Sequence, residues 1–380
     1  MPAMYPDVDP DGLLEYSVVY TDRALNHMST EFQSVVNDIT ATLKKTYCAH
    51  SAVLVPGSGT YGMEAVARQF ANNQRCLVIR NGWFSYRWSQ ILDAGNIADQ
   101  VTVLKARQQG EDIDSPWKPV PIEEAVATID AEKPAVVFAP HVETSAGLML
   151  PDEYISALAK ATHDAGGLFV LDCIASGTVW VDMEDTGVDL LISAPQKGWS
   201  GPPCAGLVML SERARKAIDD TNSSSFACDL KKWLQIMETY EAGGHAYHAT
   251  MPTESLRVFR NVMRETESFG LQTAKDKQLE LGRKVRSLLE SHGIVSTAAP
   301  GFQAPGVVVS YTRADDIHNG KRFAAIGMQI AAGVPLMCDE SASFKTFRLG
   351  LFGLDKLQNV DRTVASLESA LSKVLEPATV

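Results

Sequence analysis

The sequence predicts an α/β fold, in which a mostly parallel sheet of seven strands is covered by helices and a smaller α+β unit follows. Short apolar runs alternate with longer amphipathic segments through the first two-thirds of the 380 residues. That alternation is typical of βαβ units, whose parallel sheets are covered on both faces. From about Pro252 onward the pattern changes to long charged helical sequence, then β-rich sequence, then a last helix. This change predicts a second unit packed against the first.

Each predicted strand is a short apolar run rich in β-branched residues. In chain order the strands are predicted at residues 52–55, 75–79, 100–104, 135–139, 168–171, 190–193 and 206–210. Helices are predicted between many of them, at 61–71, 86–94, 122–129 and 152–165, and Gly166 with Gly167 ends the last of these. Further on we expect a long helix at about 254–292, β-rich sequence at 302–311 and a final helix at 357–375.

We divide the chain into an N-terminal arm (1–20), a large domain (21–260) and a small C-terminal domain (261–380). The size supports this division, because single cores stop growing at roughly 250 to 300 residues.

Charge and cysteine usage narrow the class of protein. The formal net charge is −12 and the basic residues form no stripe, so we expect neither a nucleic-acid nor an anionic membrane partner. The six cysteines are scattered singly, without C-x-x-C spacing, which indicates free thiols and no metal site. No apolar stretch approaches the length of a membrane span, and we expect a cytoplasmic protein.

A carboxylate and a lysine follow two neighbouring predicted strands. Asp172 ends the run at 168–172, and Lys197 comes four residues after the strand at 190–193. Because the carboxyl ends of parallel strands meet at one edge, both side chains should face the same crevice. Pyridoxal phosphate (PLP) chemistry needs this pair: the lysine holds the cofactor as a Schiff base, and the carboxylate keeps the pyridine nitrogen protonated. For either residue alone, a helix-capping Asp or a surface Lys is the alternative.

A possible phosphate cradle follows the first predicted strand. Ser58, Gly59 and Thr60 lie immediately before a predicted helix. Glycine lets backbone N–H groups approach an anion, and the helix N-terminus adds about half a positive charge. Many such turns only connect elements, but this one lies at the same sheet edge as Asp172 and Lys197.

Together these segments resemble the class V aminotransferases, and within them the alanine/serine:glyoxylate aminotransferases. The runs that carry the resemblance are Gly57-Ser58-Gly59-Thr60, Val142-Glu143-Thr144-Ser145-Ala146-Gly147, Leu171-Asp172-Cys173-Ile174-Ala175-Ser176 and Pro195-Gln196-Lys197-Gly198. The resemblance implies a fold-type-I PLP enzyme that works as a homodimer, with active sites at the subunit interface. It also implies amino-acid and 2-oxo-acid substrates and ping-pong transfer from alanine or serine to glyoxylate or pyruvate.

The resemblance also implies roles for single residues. Ser58, Gly59 and Thr60 would hold the phosphate, with Gln196 assisting beside Lys197. Phe84 would stack on the pyridine ring, although Trp83 is adjacent, and Thr144 would lie near the phenolic oxygen. Tyr247 and Thr250 would reach the phosphate of the other subunit, with His248 as a further candidate, and Arg348 would grip the substrate α-carboxylate.

Three other functions stay open. The loop at 57–62 also resembles that of 2-aminoethylphosphonate:pyruvate aminotransferases. Cys338 lies ten positions before Arg348, in a region where the related cysteine desulfurases carry a nucleophile, although their surrounding pattern is absent. A PLP-fold scaffold without activity is the non-enzymatic alternative.

Residues 9–26 replace the family's glycine- and proline-rich opening, which leaves the donor pocket undefined.

Overall fold

The computed structural model describes residues 5–375, and its centre is a seven-stranded sheet. Its strands, in chain order, are β1 Ser51–Pro56, β2 Arg75–Arg80, β3 Gln100–Lys105, β4 Val136–Pro140, β5 Leu168–Asp172, β6 Leu190–Ser193 and β7 Ala205–Leu210. They lie in the order β1-β7-β6-β5-β4-β2-β3. Only β7 runs antiparallel to its neighbours, β1 and β6. The predicted α/β fold class with a mostly parallel seven-stranded sheet is confirmed.

Continuous apolar sequence explains why the inner strands form. Every residue of β4, β6 and β7 is buried, because helices cover both faces of a parallel sheet. The outer strand β3 has no fully buried residue and is correspondingly more polar. Each strand lies within about one residue of its predicted position.

Among residues 5–375, nine longer helices surround the sheets. They are α1 Thr30–Tyr47, α2 Gly59–Phe70, α3 Trp83–Ala94, α4 Ile122–Glu132, α5 Asp152–Asp164, α6 Leu230–Glu241, α7 Thr253–Phe269, α8 Leu271–Ser291 and α9 Val360–Leu375. Shorter helical segments are Met183–Thr186, Glu212–Ala217, Ile218–Asp220, Asp315–His318, Lys321–Ala324 and Leu354–Leu357. None of the helices in the described chain is long and apolar enough to cross a membrane.

The C-terminal part contains a second, smaller sheet. It consists of β8 Val307–Tyr311, β9 Ala331–Ala332 and β10 Thr346–Gly350, in the order β8-β10-β9. Buried apolar side chains of α8, β10 and α9, among them Leu281, Phe347 and Leu371, form a separate core. Two short ladders, Arg107–Gln108 with Trp117–Lys118 and Val142–Glu143 with Leu148–Met149, complete the strands. The boundary at 260/261 stays a prediction.

Three predictions about this part differ in detail from the structure. The single helix expected at 254–292 is two helices, because Gly270 between them has a φ of +97°, outside the helical range. The strand expected from residue 302 begins at Val307, after Pro305, which has no N–H to give to a ladder. The final helix begins at Val360, three residues later than expected.

Candidate active site

The carboxyl edge of the main sheet gathers the predicted site residues. Asp172 is the last residue of β5, and Lys197 follows the end of β6 by four residues. Ser58 follows β1, and Phe84 lies in the first turn of α3, which follows β2. Ends of parallel strands create a crevice of this kind in α/β proteins.

Asp172 is a buried carboxyl group with few protein partners. Its Oδ1 accepts one hydrogen bond, of 2.9 Å, from the Ile174 backbone N–H. Burial raises the pKa of Asp172 to about 7, and Glu143 adds to the rise, while the Ile174 N–H, Arg87 and Lys197 oppose it. A protonated ring nitrogen placed beside this carboxyl would supply a further hydrogen bond and a positive charge in direct contact.

Lys197 shares this environment. Burial lowers the pKa of its amine, and Arg348 and then Arg87 lower it further, while Asp172 opposes them. The Lys197 Nζ lies 5.2 Å from the centroid of the Phe352 ring. Lys197 and Asp172 therefore lie within electrostatic reach of each other without forming an ion pair, since none is found within 4.0 Å among the residues described. A lowered pKa favours the neutral amine that imine formation requires.

The first turn of α2 provides an anion cradle. Ser58 precedes the helix without capping it through its side chain, and the Gly59 and Thr60 backbone N–H groups have no acceptor among the described residues, whereas the Tyr61 N–H bonds to the Ser58 carbonyl oxygen at 2.9 Å. Gly59 is needed for packing, because a Cβ there would lie 2.6 Å from the Ile174 Cδ1 atom. Thr60 Oγ1 accepts a hydrogen bond of 3.0 Å from Arg87 Nη1.

Gln196 and Thr144 are polar residues with open hydrogen-bonding capacity. The Oε1 atom of Gln196 is buried and has no partner among the described residues. Thr144 lies in the turn between the strands Val142–Glu143 and Leu148–Met149, and its hydroxyl bonds to none of residues 5–375. Open hydrogen-bonding groups of this kind fit a site that a polar cofactor completes.

Phe84 lies between two arginines. The Cζ atoms of Arg87 and Arg348 lie 5.3 and 5.4 Å from the centroid of its ring. Trp83, in contrast, packs against Tyr86 at 6.0 Å. The geometry therefore favours Phe84 over Trp83 as the aromatic of the site.

Arg348 projects from β10 of the small sheet. Its Nε donates a hydrogen bond of 2.8 Å to the carbonyl oxygen of Ala332, which fixes the stem of the side chain. Within the described part of the chain no carboxylate lies within 4.0 Å of its guanidinium. A fixed and unpaired guanidinium is suited to bind a substrate carboxylate through two parallel hydrogen bonds.

Tyr247 and Thr250 form no hydrogen bond with the other predicted site residues within the described chain. Their hydroxyl groups are 3.1 Å apart, and both side chains are exposed. The Tyr247 ring contacts His27 at 5.5 Å. His248 instead bonds to the Phe226 carbonyl oxygen at 2.8 Å, which indicates a structural role.

Four residues near the site were not singled out from the sequence. They are Arg87, Glu143, Phe352 and His141, although Glu143 and Phe352 lay inside runs of sequence, 142–147 and 347–353, that resemble the family. Glu143 is fully buried and accepts hydrogen bonds from the Phe84 and Ser85 N–H groups at 3.1 and 2.9 Å. Burial lowers the pKa of His141 to about 3, so this residue is neutral beside Asp172.

Comparison with protein families decides the identity. The model of the family described as "Aminotransferase class-V" matches residues 12–333, most of the chain. The chain belongs to the class V aminotransferases. This class V enzyme is accordingly a PLP-dependent transaminase, and the lysine, buried carboxyl group and anion cradle above fit that cofactor.

Relatives of this class V enzyme carry several names. A Synechococcus protein named the small subunit of a soluble hydrogenase is 25% identical, covering 92% of this chain and 88% of its own. Alanine–glyoxylate aminotransferase 1 of Saccharomyces cerevisiae is 29% identical over 68% of each chain. A 2-aminoethylphosphonate–pyruvate transaminase of Vibrio parahaemolyticus is 26% identical over 89% of each chain.

Solved structures bear out the fold. The ureidoglycine–glyoxylate aminotransferase of Bacillus subtilis superimposes with a TM-score of 0.77 at 20% identity, over 94% of this chain and 88% of its own. At that identity the likeness concerns the fold-type-I architecture, not the substrate.

Proposed function

We propose that this enzyme transfers the amino group of a small amino acid, alanine or serine, to a 2-oxo acid such as glyoxylate or pyruvate. The observation that carries the proposal is the Arg348 guanidinium. It has no carboxylate partner among the described residues, it lies against Phe84, and it lowers the pKa of Lys197. An arginine so placed can bind a substrate α-carboxylate while the Lys197 amine meets Cα.

Each of the site residues would have a separate role in the reaction. PLP, when bound, withdraws electrons from the substrate Cα. Lys197 would hold the cofactor, and burial, Arg348 and Arg87 lower the pKa of its amine, which favours the neutral form that can accept the substrate Cα proton. Asp172 would pair with the ring nitrogen of PLP, and Arg348 would fix which Cα bond of the substrate faces Lys197. The same residues would bind and orient a 2-oxo acid in the second half-reaction, which predicts ping-pong kinetics.

The second candidate is transfer from 2-aminoethylphosphonate to pyruvate. Its support is the set of relatives with that name, which match along 85% to 90% of the chain. Such a donor has no α-carboxylate, so Arg348 would serve only the oxo-acid half of the reaction.

Cysteine desulfuration fits the site less well. Cys338 is buried, and its thiol lies 3.4 Å from the Arg80 carbonyl oxygen. Burial raises the pKa of this thiol to about 12, with Glu143 and Glu340 adding to the rise. A nucleophilic thiolate at neutral pH requires a lowered pKa.

We also propose a homodimer in which Tyr247 and Thr250 serve the partner subunit's phosphate site. Exposed apolar side chains support an interface, because large apolar groups in an extended segment are costly to leave in water. Tyr16 and Val18 of the N-terminal segment are 90% and 101% exposed, and Phe226 is 78% exposed. A cytoplasmic location is proposed from the six free cysteines.

A panel of amino donors tests the reaction. PLP-loaded enzyme is mixed with L-alanine, L-serine, L-cysteine or 2-aminoethylphosphonate, and conversion to the pyridoxamine form is followed by absorbance. We expect conversion with alanine or serine. Conversion with 2-aminoethylphosphonate alone would favour the second candidate, and sulfide release from cysteine would favour desulfuration.

Two variants assign the roles. Lys197→Ala should lose the visible absorbance of lysine-bound PLP and nearly all turnover. Arg348→Gln should raise KM for alanine or serine roughly ten- to a hundredfold, the effect of losing a hydrogen-bonded charge pair. Arg107→Gln, at an exposed arginine paired with Glu124, is the matched control. An unchanged KM in Arg348→Gln would refute the carboxylate role.

A further inference from the structure

Arg87 is a charged residue of the site to which no role has been assigned above. It lies on α3, one turn after Phe84, and is half-buried. Within the described chain, no carboxylate lies within 4.0 Å of its guanidinium, and its one side-chain hydrogen bond goes to Thr60. A partly buried cation without an anion is costly, which indicates that its anion comes from a ligand.

The bond to Thr60 determines what that hydroxyl can do. Thr60 Oγ1 accepts from Arg87 Nη1 at 3.0 Å, and its own O–H donates to no acceptor among residues 5–375. A hydroxyl that already accepts one hydrogen bond keeps its proton for a second partner. Thr60 lies in the first turn of α2, where the unpaired backbone N–H groups also point away from the helix.

The charges around the first turn of α2 also indicate that Arg87 pairs with a phosphate. A phosphate monoester carries roughly −1.5 to −2 charges at pH 7, whereas a helix N-terminus offers about half a positive charge. Of the cations near the site, Lys197 is the covalent anchor and Arg348 is proposed for the substrate. Arg87 is the remaining cation that acts electrostatically on both Lys197 and Asp172.

We propose that Arg87 is the counter-charge of the cofactor phosphate and the positioning residue of the Thr60 hydroxyl. Arg87 holds Thr60 so that the Thr60 O–H is directed to a phosphate oxygen. The Arg87 guanidinium also offsets the part of the phosphate charge that the N-terminus of α2 does not balance. This inference rests on the proposed PLP site, and it assigns to that site a residue outside the Ser58–Thr60 turn.

Comparison of PLP with pyridoxal tests the proposal without using turnover. Pyridoxal also forms an imine with lysine but has no phosphate. Apo-enzyme is titrated with each compound and the visible absorbance gives two dissociation constants. In Arg87→Gln we expect PLP affinity to fall roughly ten- to a hundredfold and pyridoxal affinity to change by less than about threefold. Arg107→Gln is the exposed control and should leave both unchanged.

Variants of Thr60 test the positioning role. Thr60→Val should reduce PLP affinity selectively, whereas Thr60→Ser should preserve it. The double variant Arg87→Gln/Thr60→Val should lose less affinity than the sum of the single losses, because the two groups act together. If Arg87→Gln apo-enzyme is not folded by circular dichroism, Arg87→Lys and the Thr60 pair decide the question.

The possible outcomes distinguish a failure of the Arg87 proposal from a failure of the proposed function. Equal losses for PLP and pyridoxal would overturn the phosphate role, since they would mean that Arg87 acts only on Lys197 or Asp172. Unchanged PLP affinity with a raised substrate KM would overturn it in favour of a substrate contact. Wild-type enzyme that binds PLP but converts no amino donor would contradict the proposed function and leave the PLP-to-pyridoxal ratio as the test of Arg87.

Discussion

The buried carboxyl group of Asp172 makes the stability of the folded protein depend on pH. Its carboxyl group is buried with one backbone donor, and its pKa is raised from 3.8 to about 7. The folded apo-protein therefore binds more protons at this site than the unfolded chain does between about pH 4 and 7. Over that window the contribution of Asp172 to stability is lost as the pH rises.

This residue gives a prediction for the apo-enzyme. Because Asn does not titrate, Asp172→Asn should remove that pH dependence. The difference in free energy of unfolding between variant and wild type should shift in favour of the variant as the pH rises from about 4 to 7, by at most about 4 kcal/mol. Urea unfolding at several pH values measures the difference. A pH-independent difference would show that the carboxyl group keeps an ordinary pKa.

Glu143 acts at the level of a secondary-structure element, because it anchors the start of α3. It is fully buried and accepts hydrogen bonds from the backbone N–H groups of Phe84 and Ser85 and from the Ser85 and Ser145 hydroxyls. A carboxylate at a helix N-terminus satisfies unpaired N–H groups and interacts favourably with the helix dipole. Glu143 thereby fixes the helix turn that carries Phe84 and Arg87.

Replacing this anchor should be costly. Glu143→Gln removes the charge and turns an NH2 group toward donors, so we expect a loss of about 2 to 4 kcal/mol in the free energy of unfolding. Glu153→Gln is the matched control, since Glu153 lies exposed in the first turn of α5. Its loss should stay below about 1 kcal/mol. Equal losses in denaturant unfolding would rule out the anchoring role.

Strands that consist of a continuous apolar run could be predicted from the sequence. Helix boundaries that depend on the backbone angle of a single residue could not. Strand β6 was expected at 190–193 and is found there, because its four residues form a continuous buried run. The break between α7 and α8 depends on the φ of Gly270, while the amphipathic pattern continues across it. Gly alone does not indicate a break, since it also occurs inside helices.

The same distinction holds for the site. Asp172 and Lys197 follow strands of one parallel sheet, so topology alone predicted that they face one crevice. Arg87 looks in the sequence like any arginine on an amphipathic helix. Only the placement of α3 beside α2 brings its guanidinium to Thr60.

At the scale of the whole molecule, Tyr247 and Thr250 form a hydrogen bond with each other but with none of the other predicted site residues among residues 5–375. The two hydroxyl groups lie 3.1 Å apart on an exposed loop, beside the aromatic ring of His27. Exposed Tyr16 and Val18 lie in the N-terminal segment. A dimer that covers this surface would bring the hydroxyl pair to the other subunit's cradle and bury the apolar side chains.

Hybrid dimers test whether the active sites are shared. Lys197→Ala subunits and Tyr247→Ala/Thr250→Val subunits, each with a different affinity tag, are co-expressed, and the hybrid is isolated by sequential purification. If each site takes its lysine from one subunit and its hydroxyl pair from the other, the hybrid has one site with both defects and one intact site. Its turnover should therefore exceed that of either parent homodimer. If each site belongs wholly to one subunit, every site of the hybrid carries a defect, and its turnover would not exceed the average of the parents.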